Sequence, residues 1–247
     1  MTRVLLLILM TLTVMLASCN GGYDESDDLE DPLALLMEAA ANIRSQPTFR
    51  MEIRHSGVPF RFISNMGEGQ LEVTFRRAIG QYVAPDQLEA DVSVIANGLT
   101  TSVLVYGRGD EQWYRLPIFG WQDADFAEGF NPAGLIAEDT GIQAAMGTLN
   151  ALTYEGTESI DGVETYHLSG EADGGDVADL LVGMISDEGV VHVDVYVNIE
   201  TRMPQRIVVT QPETDPEDPM TWTVDFYDIG AEPDLILPPE LAEAQES

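Results

Sequence analysis

Residues 190–198 read "VVHVDVYVN". In an extended chain Val191, Val193, Val195 and Val197 fall on one side, and His192, Asp194, Tyr196 and Asn198 on the other. A period of two, with β-branched residues on one face, predicts a strand with one dry and one wet surface, as in antiparallel sheets. The pattern recurs. In "TFRMEIR" (48–54) Phe49, Met51 and Ile53 alternate with Arg50, Glu52 and Arg54. In "QLEVTFR" (70–76) Leu71, Val73 and Phe75 share a face, and in "MTWTVDF" (220–226) Met220, Trp222, Val224 and Phe226 do. Val92, Val94 and Ala96 make a further set, and Val103 and Val105 another. "NMGEG" (65–69), "ANG" (96–98), "GRGDE" (107–111) and "SIDG" (159–162) separate these runs with turn residues.

Three stretches change the period. Asp31-Pro32 offers a capping carboxylate followed by proline at the first helical position. Leu33, Leu36, Met37, Ala40 and Ile43 follow at helical spacing until Pro47. "NPAGLIAEDTGIQAAMGTL" (131–149) predicts one or two short helices, and "GDVADLLVGMIS" (175–186) another. The expected fold is α+β: an antiparallel half-barrel sheet of about ten strands, with helices covering its concave apolar face, since a one-sided sheet must bury its dry side.

The chain begins with an apolar run, Val4 to Leu16, broken only by threonines. About 13 residues are too few to cross a bilayer, which takes about 20, and they match a secretory signal behind Arg3. Leu16-Ala17-Ser18-Cys19 follows and looks like a bacterial lipobox: small residues for a peptidase cleft, then a thiol to carry the acyl-glyceryl group. Cys19 is the single cysteine among 247 residues, which excludes an internal disulfide and multi-thiolate metal centres. Residues 1–18 are read as the lipoprotein signal peptide and 19–31 as the lipidated cysteine with an acidic tether. The chain would then sit on the extracytoplasmic face of the cell membrane, held through Cys19.

Charge narrows the function further. Asp and Glu number 43 against 11 basic residues, every one an arginine, for a net charge of −32. A surface this acidic excludes nucleic-acid binding, and the lack of lysine excludes a P-loop or Schiff-base lysine and a polybasic membrane patch.

Residues 131–181 carry a resemblance. Asn131-Pro132 opens a short apolar helix. Gly156 and Glu158 lie in a strand, "IDGVETYHLSG" (160–170) turns at Asp161-Gly162, and an amphipathic helix begins at Asp176. With "GQYVAPDQLEADVSVIANG" (80–98), these features resemble the LprG/LppX lipoprotein family, which is similar in fold to the lipoprotein carriers LolA and LolB. The resemblance covers roughly residues 30 to 238. It implies one lipid-binding domain over 32–238, followed by a flexible acidic tail, 239–247. It also implies a cavity for the acyl chains of a lipid or glycolipid. The lining expected is Val92, Val94, Val103, Val105, Leu135, Ile136, Leu180, Met184, Val193, Val195 and Trp222. "LPIFGWQDADFAEGFNP" (116–132) supplies a mouth at Phe119, Trp121, Phe126 and Phe130, or else plugs one end of the core. The expected partners are the lipid, the membrane and an envelope transporter, and the chain is expected to be a monomer.

No chemistry competes with this reading. Arg108-Gly109-Asp110 reads as a hairpin turn. His55, His167 and His192 are scattered over separate strands, and Asp123-x-Asp125 lacks the rest of a calcium loop. No catalytic residue, metal ligand or cofactor is expected. The alternative function is an envelope protein-binding or sensing module of the same fold, without lipid cargo.

Overall fold

The structure, a computed structural model, describes residues 31–64, 71–116, 118–124, 131–181, 185 and 189–245. Asp31 caps helix α1 (Pro32–Arg44) as the sequence predicts, its carboxylate accepting a hydrogen bond from the Ala34 amide at 3.0 Å. The buried stripe is Leu35, Leu36, Ala39, Ala40 and Ile43, whereas Leu33 stays exposed.

Among the described residues twelve strands follow, all in one antiparallel sheet. They are β1 (Thr48–Ser56), β2 (Arg61–Ser64), β3 (Leu71–Val83), β4 (Gln87–Ala96), β5 (Leu99–Arg108), β6 (Glu111–Leu116), β7 (Gly120–Ala124), β8 (Asn150–Ile160), β9 (Val163–Asp173), β10 (Val190–Asn198), β11 (Pro204–Gln211) and β12 (Met220–Tyr227). The order across the sheet is β7-β6-β5-β4-β3-β1-β12-β11-β10-β9-β8. Short turns make most neighbours. Asn97-Gly98 and Asp161-Gly162 all take positive φ, the hairpin geometry that Asn, Asp and Gly favour. The last strand, β12, lies between β1 and β11 and joins the two halves of the sheet.

β1 and β2 are one strand with a break. β1 pairs with the second half of β3 and β2 with the first half, both antiparallel. Residues 57–60 leave the ladder between them, and the Phe75 amide still reaches the Phe60 carbonyl at 3.0 Å. Gly57 makes the detour, with φ +76° against the Pro219 backbone.

One face of the sheet is covered by helices. Beneath them lie Phe49, Met51 and Ile53 of β1, Trp222, Val224 and Phe226 of β12, Ile207 and Val209 of β11, and Val191, Val193, Val195 and Val197 of β10. The cover is α1, a 3₁₀ turn at Pro132–Ile136, α2 (Gly141–Gly147), α3 (Gly174–Val177) and a 3₁₀ turn at Ala178–Leu181. The 175–186 helix expected from the sequence starts at Gly174 and tightens to 3₁₀ geometry at Ala178, and residues 182–184 and 186 of that stretch lie outside the described residues. Gly141 is fixed by packing: its φ is +62°, and a Cβ there would lie 2.3 Å from the Gly134 carbonyl oxygen.

The other face carries an array of ion pairs. Asp225 joins Arg54 to Arg206, Glu52 accepts from Arg77 at 2.7 Å, and Arg206 also reaches Asp161 at 2.9 Å. A strap formed by the chain after β12 crosses this face, from β1 to β6. Thr48 on β1 donates to the Ala231 carbonyl, and Gln81 on β3 makes a two-way pair with the Asp234 backbone. Glu89 on β4 accepts from the Ile236 amide, and Trp113 on β6 donates to Glu240 at 2.9 Å. The strap ends in helix α4 (Pro239–Gln245), where the sequence suggests a flexible tail.

Candidate ligand-binding face

Alternation in β10, β11 and β12 puts their apolar residues under the helices, so the covered face is where an apolar ligand would lie. Of the expected lining, Val193, Val195, Leu135, Leu180 and Trp222 belong to the core under the cover. Val92 and Ile136 pack against it half-buried. Val94 and Val103 are buried on β4 and β5, with Val105 half-buried on the same face. Met184 lies outside the described residues, as do Cys19, Phe126 and Phe130 of the other expectations.

An apolar void of about 10 Å³ lies between cover and sheet. Phe49, Met51, Ile207, Val224 and Phe226 form its floor, and Leu135, Ile142 and Leu180 its roof. That is the space of one water-sized sphere. An acyl chain would enter only if the roof lifted, and the roof is built of short helices rather than strands. The floor residues share the alternation that identified Val193 and Val195, so the same signal finds them.

The proposed mouth is divided. Phe119 is 70% exposed in the β6–β7 turn beside Ile118, which is 88% exposed. Trp121 stands opposite Arg115 on edge strand β7, half-buried. Ile63, Leu99 and Val190 are exposed too, all at the end of the sheet where these strands turn.

Polar groups appear where the sequence reading looked for none. His55 continues the dry face of β1. Its ring sits edge-on to Trp222 at 4.6 Å between centroids, and Phe60 and Phe75 each approach the indole to 5.3 Å. Burial pulls His55 below its ordinary value, outweighing the hydrogen bond to the Val58 backbone that favours its charged form; Arg76 adds to the lowering. Two positions past Ile207 and Val209 on the same face, Gln211 is also buried.

The other histidines meet on the outer face. Asp194 Oδ1 is 2.8 Å from His167 Nε2 and 3.6 Å from His192 Nε2, and Ser169 Oγ is 3.1 Å from that same His192 nitrogen. A nucleophilic triad needs the carboxylate on the other ring nitrogen of its base, so this arrangement is a hydrogen-bonded surface cluster. Among the described residues no group of three His, Cys, Asp or Glu side chains is placed to hold a metal ion. No described helix is long and apolar enough to cross a membrane.

A model of the LppX_LprAFG lipoprotein family matches residues 31–233. The chain belongs to the LppX_LprAFG family. Its fold agrees with solved members. The lipoprotein LppX of Mycobacterium tuberculosis aligns over 83% of this chain and 98% of its own, with TM-score 0.58 at 16% identity. LprF of Mycobacterium bovis aligns over 84% and 96%, with TM-score 0.59 at 14% identity. At such identity the likeness to the LppX and LprF structures establishes the fold. A curated relative of another kind is the phosphoenolpyruvate carboxylase of Xanthomonas campestris, 28% identical over 169 residues. The match spans 68% of this LppX_LprAFG chain and 17% of the enzyme, too small a share to transfer its activity.

Proposed function

We propose that this LppX_LprAFG protein is a lipid-anchored envelope lipoprotein that takes acyl chains of a lipid or glycolipid between its sheet and its helical cover, and carries or presents them. The observation that carries the reading is the apolar floor of Phe49, Met51, Val224 and Phe226, roofed by short helical segments. Each buried CH₂ is worth about 0.8 kcal/mol, so a long chain brought into water would cost more than ~10 kcal/mol. An apolar face that opens and recloses over the chain removes most of that barrier, and no covalent chemistry is required. Cys19 supplies the anchor, and the acidic residues of 20–31 keep the domain off an anionic surface that would repel it.

The small void favours a second reading. If the roof does not lift, the packed domain with exposed Ile118 and Phe119 is a docking or sensing module instead.

The test is native mass spectrometry with lipid extraction on residues 20–247, produced without the anchor in a lipid-containing host. A stoichiometric acyl lipid is the expected result. An apo mass that takes up no added lipid would move the assignment to the docking module.

A further inference from the structure

Among the described residues four buried side-chain polar atoms lack a hydrogen-bond partner. One is Gln143 Oε1 on α2. The other three, His55 Nε2, Gln211 Oε1 and Trp222 Nε1, lie on the covered face of three adjacent strands, all at one end. The register fixes this: His55 is opposite Trp222, Trp222 opposite Val209, and Gln211 opposite Met220. An unpaired buried polar group costs about 1–3 kcal/mol, so three together on an otherwise apolar surface call for a partner. Trp222 is 0% and Gln211 5% exposed, so bulk water does not serve.

We propose that His55, Gln211 and Trp222 form a polar subsite for the uncharged, hydroxyl-bearing headgroup of an acylated polyol. The proposal rests on the lipid-binding reading and adds where the head lies. The donor count selects the chemistry. Trp222 offers one N–H, suited to an ester carbonyl. Gln211 Oε1 offers an acceptor. So does His55 Nε2, since burial favours the neutral ring and the hydrogen bond to the Val58 backbone leaves Nε2 unpartnered. Of the three unsatisfied atoms the two acceptors take hydroxyl protons and the indole N–H gives to an ester carbonyl, whereas a phosphate, which only accepts, would leave both acceptors unpaired. The charged neighbour of His55 is Arg76, exposed on the β3 bulge. The void over Phe49 and Phe226 lies further along the same two strands, so a head at His55 points its chain toward that void.

Photo-crosslinking on the full-length chain in lipid bilayers tests this. The probes are a monoacylglycerol with a diazirine on the glycerol, the same lipid with the diazirine at the chain end, and a phosphatidylglycerol carrying the head label. The head-labelled acylglycerol is expected to mark peptides containing residues 55–62 and 209–222, and the chain-end probe those containing Leu135, Ile142 or Leu180. With the probes at saturating concentration, Gln211→Leu and His55→Phe are expected to cut head labelling of those peptides about tenfold, the worth of one or two hydrogen bonds, because the head leaves the subsite while the chain stays in place, and to leave chain-end labelling within twofold. Head labelling elsewhere, equal loss from both probes, or preference for the phosphatidylglycerol would overturn the subsite while the cavity stood. No labelling above background by any probe would overturn the lipid reading, and the subsite with it.

Discussion

Gly57 and Gly98 share a φ of +76°, yet only Gly57 meets other backbone: an added Cβ would lie 2.0 Å from the carbonyl oxygen of Pro219, just before β12, while nothing lies within 4 Å at Gly98. Left-handed backbone costs a non-glycine residue roughly 1–2 kcal/mol. Gly98→Ala should lose about that much. Gly57→Ala should lose about 3 kcal/mol or more, because the break in the first strand must shift away from β12. Urea denaturation of the two variants measures the difference, and equal losses would show that the 57–60 detour yields freely. Asp225 poses an electrostatic counterpart. Burial pulls Arg206 down, but Asp225 and Asp161 outweigh it and hold the guanidinium above its ordinary value. Asp225→Asn leaves Arg54 and Arg206 facing each other across a half-buried site. A loss of about 2 kcal/mol is expected, shrinking in high salt as the repulsion is screened.

Among the elements, the strap is the one the sequence conceals. Alternation betrays a strand by its apolar face, and on that signal β1, β3, β10 and β12 are legible. Tyr106 and Trp113 fall on the outer face, where polar residues are expected, and both are buried. The chain that crosses this face, 231–238, is irregular and has no period to read, and Trp113 bonds Glu240 just beyond it. The break between β1 and β2 is hidden similarly, since only a close approach demands Gly57. At the covered face Val193, Val195 and Trp222 follow from the pattern, whereas His55 and Gln211 escape it because polarity disqualifies them as core. The strap also titrates. Burial pushes the Glu89 carboxyl up, against the lowering effect of its bonds from Ile236 and Gln81, and the neighbouring Asp234 and Asp91 push the same way. A carboxyl raised in the docked state binds its proton more tightly there. Its contribution is therefore fully present below about pH 4.5 and lost as pH rises through the docked value. Hydrogen exchange at the Ile236 amide, corrected for intrinsic rate, should show stronger protection at pH 5 than at pH 8. Glu89→Gln should flatten that trend. The helical cover has a matching expectation: amides of α2 and α3 should open at lower free energy than those of β10 to β12, since the roof rests on short helices. Equal protection across roof and floor would argue for a domain that never opens.

Over the whole molecule a net charge of −32 repels itself, and with 11 basic residues the ion-pair array on the outer face can answer only part of it. Raising sodium chloride from low millimolar to half molar should raise the thermal midpoint, each kcal/mol of relieved repulsion being worth about 2–4 °C for a chain of this size. A midpoint that falls or stands still would mean that the carboxylates are already neutralised by one another's protons or by bound cations. The same acidity keeps any two copies apart in dilute salt.

The place of β12 sets a condition on synthesis. Strands β1 to β7 are made first and β8 to β11 afterwards, and each group can pair within itself. Only Met220–Tyr227, near the end of the chain, bridges them. A nascent chain halted before Met220 would thus hold two separate sheets, each with a raw hydrogen-bonding margin at β1 or β11 and half of the apolar floor laid bare. Folding of this protein is all-or-nothing in that sense: an unfinished copy is no smaller version of the domain but one chain with two adhesive sheet edges, open to aggregation and proteolysis.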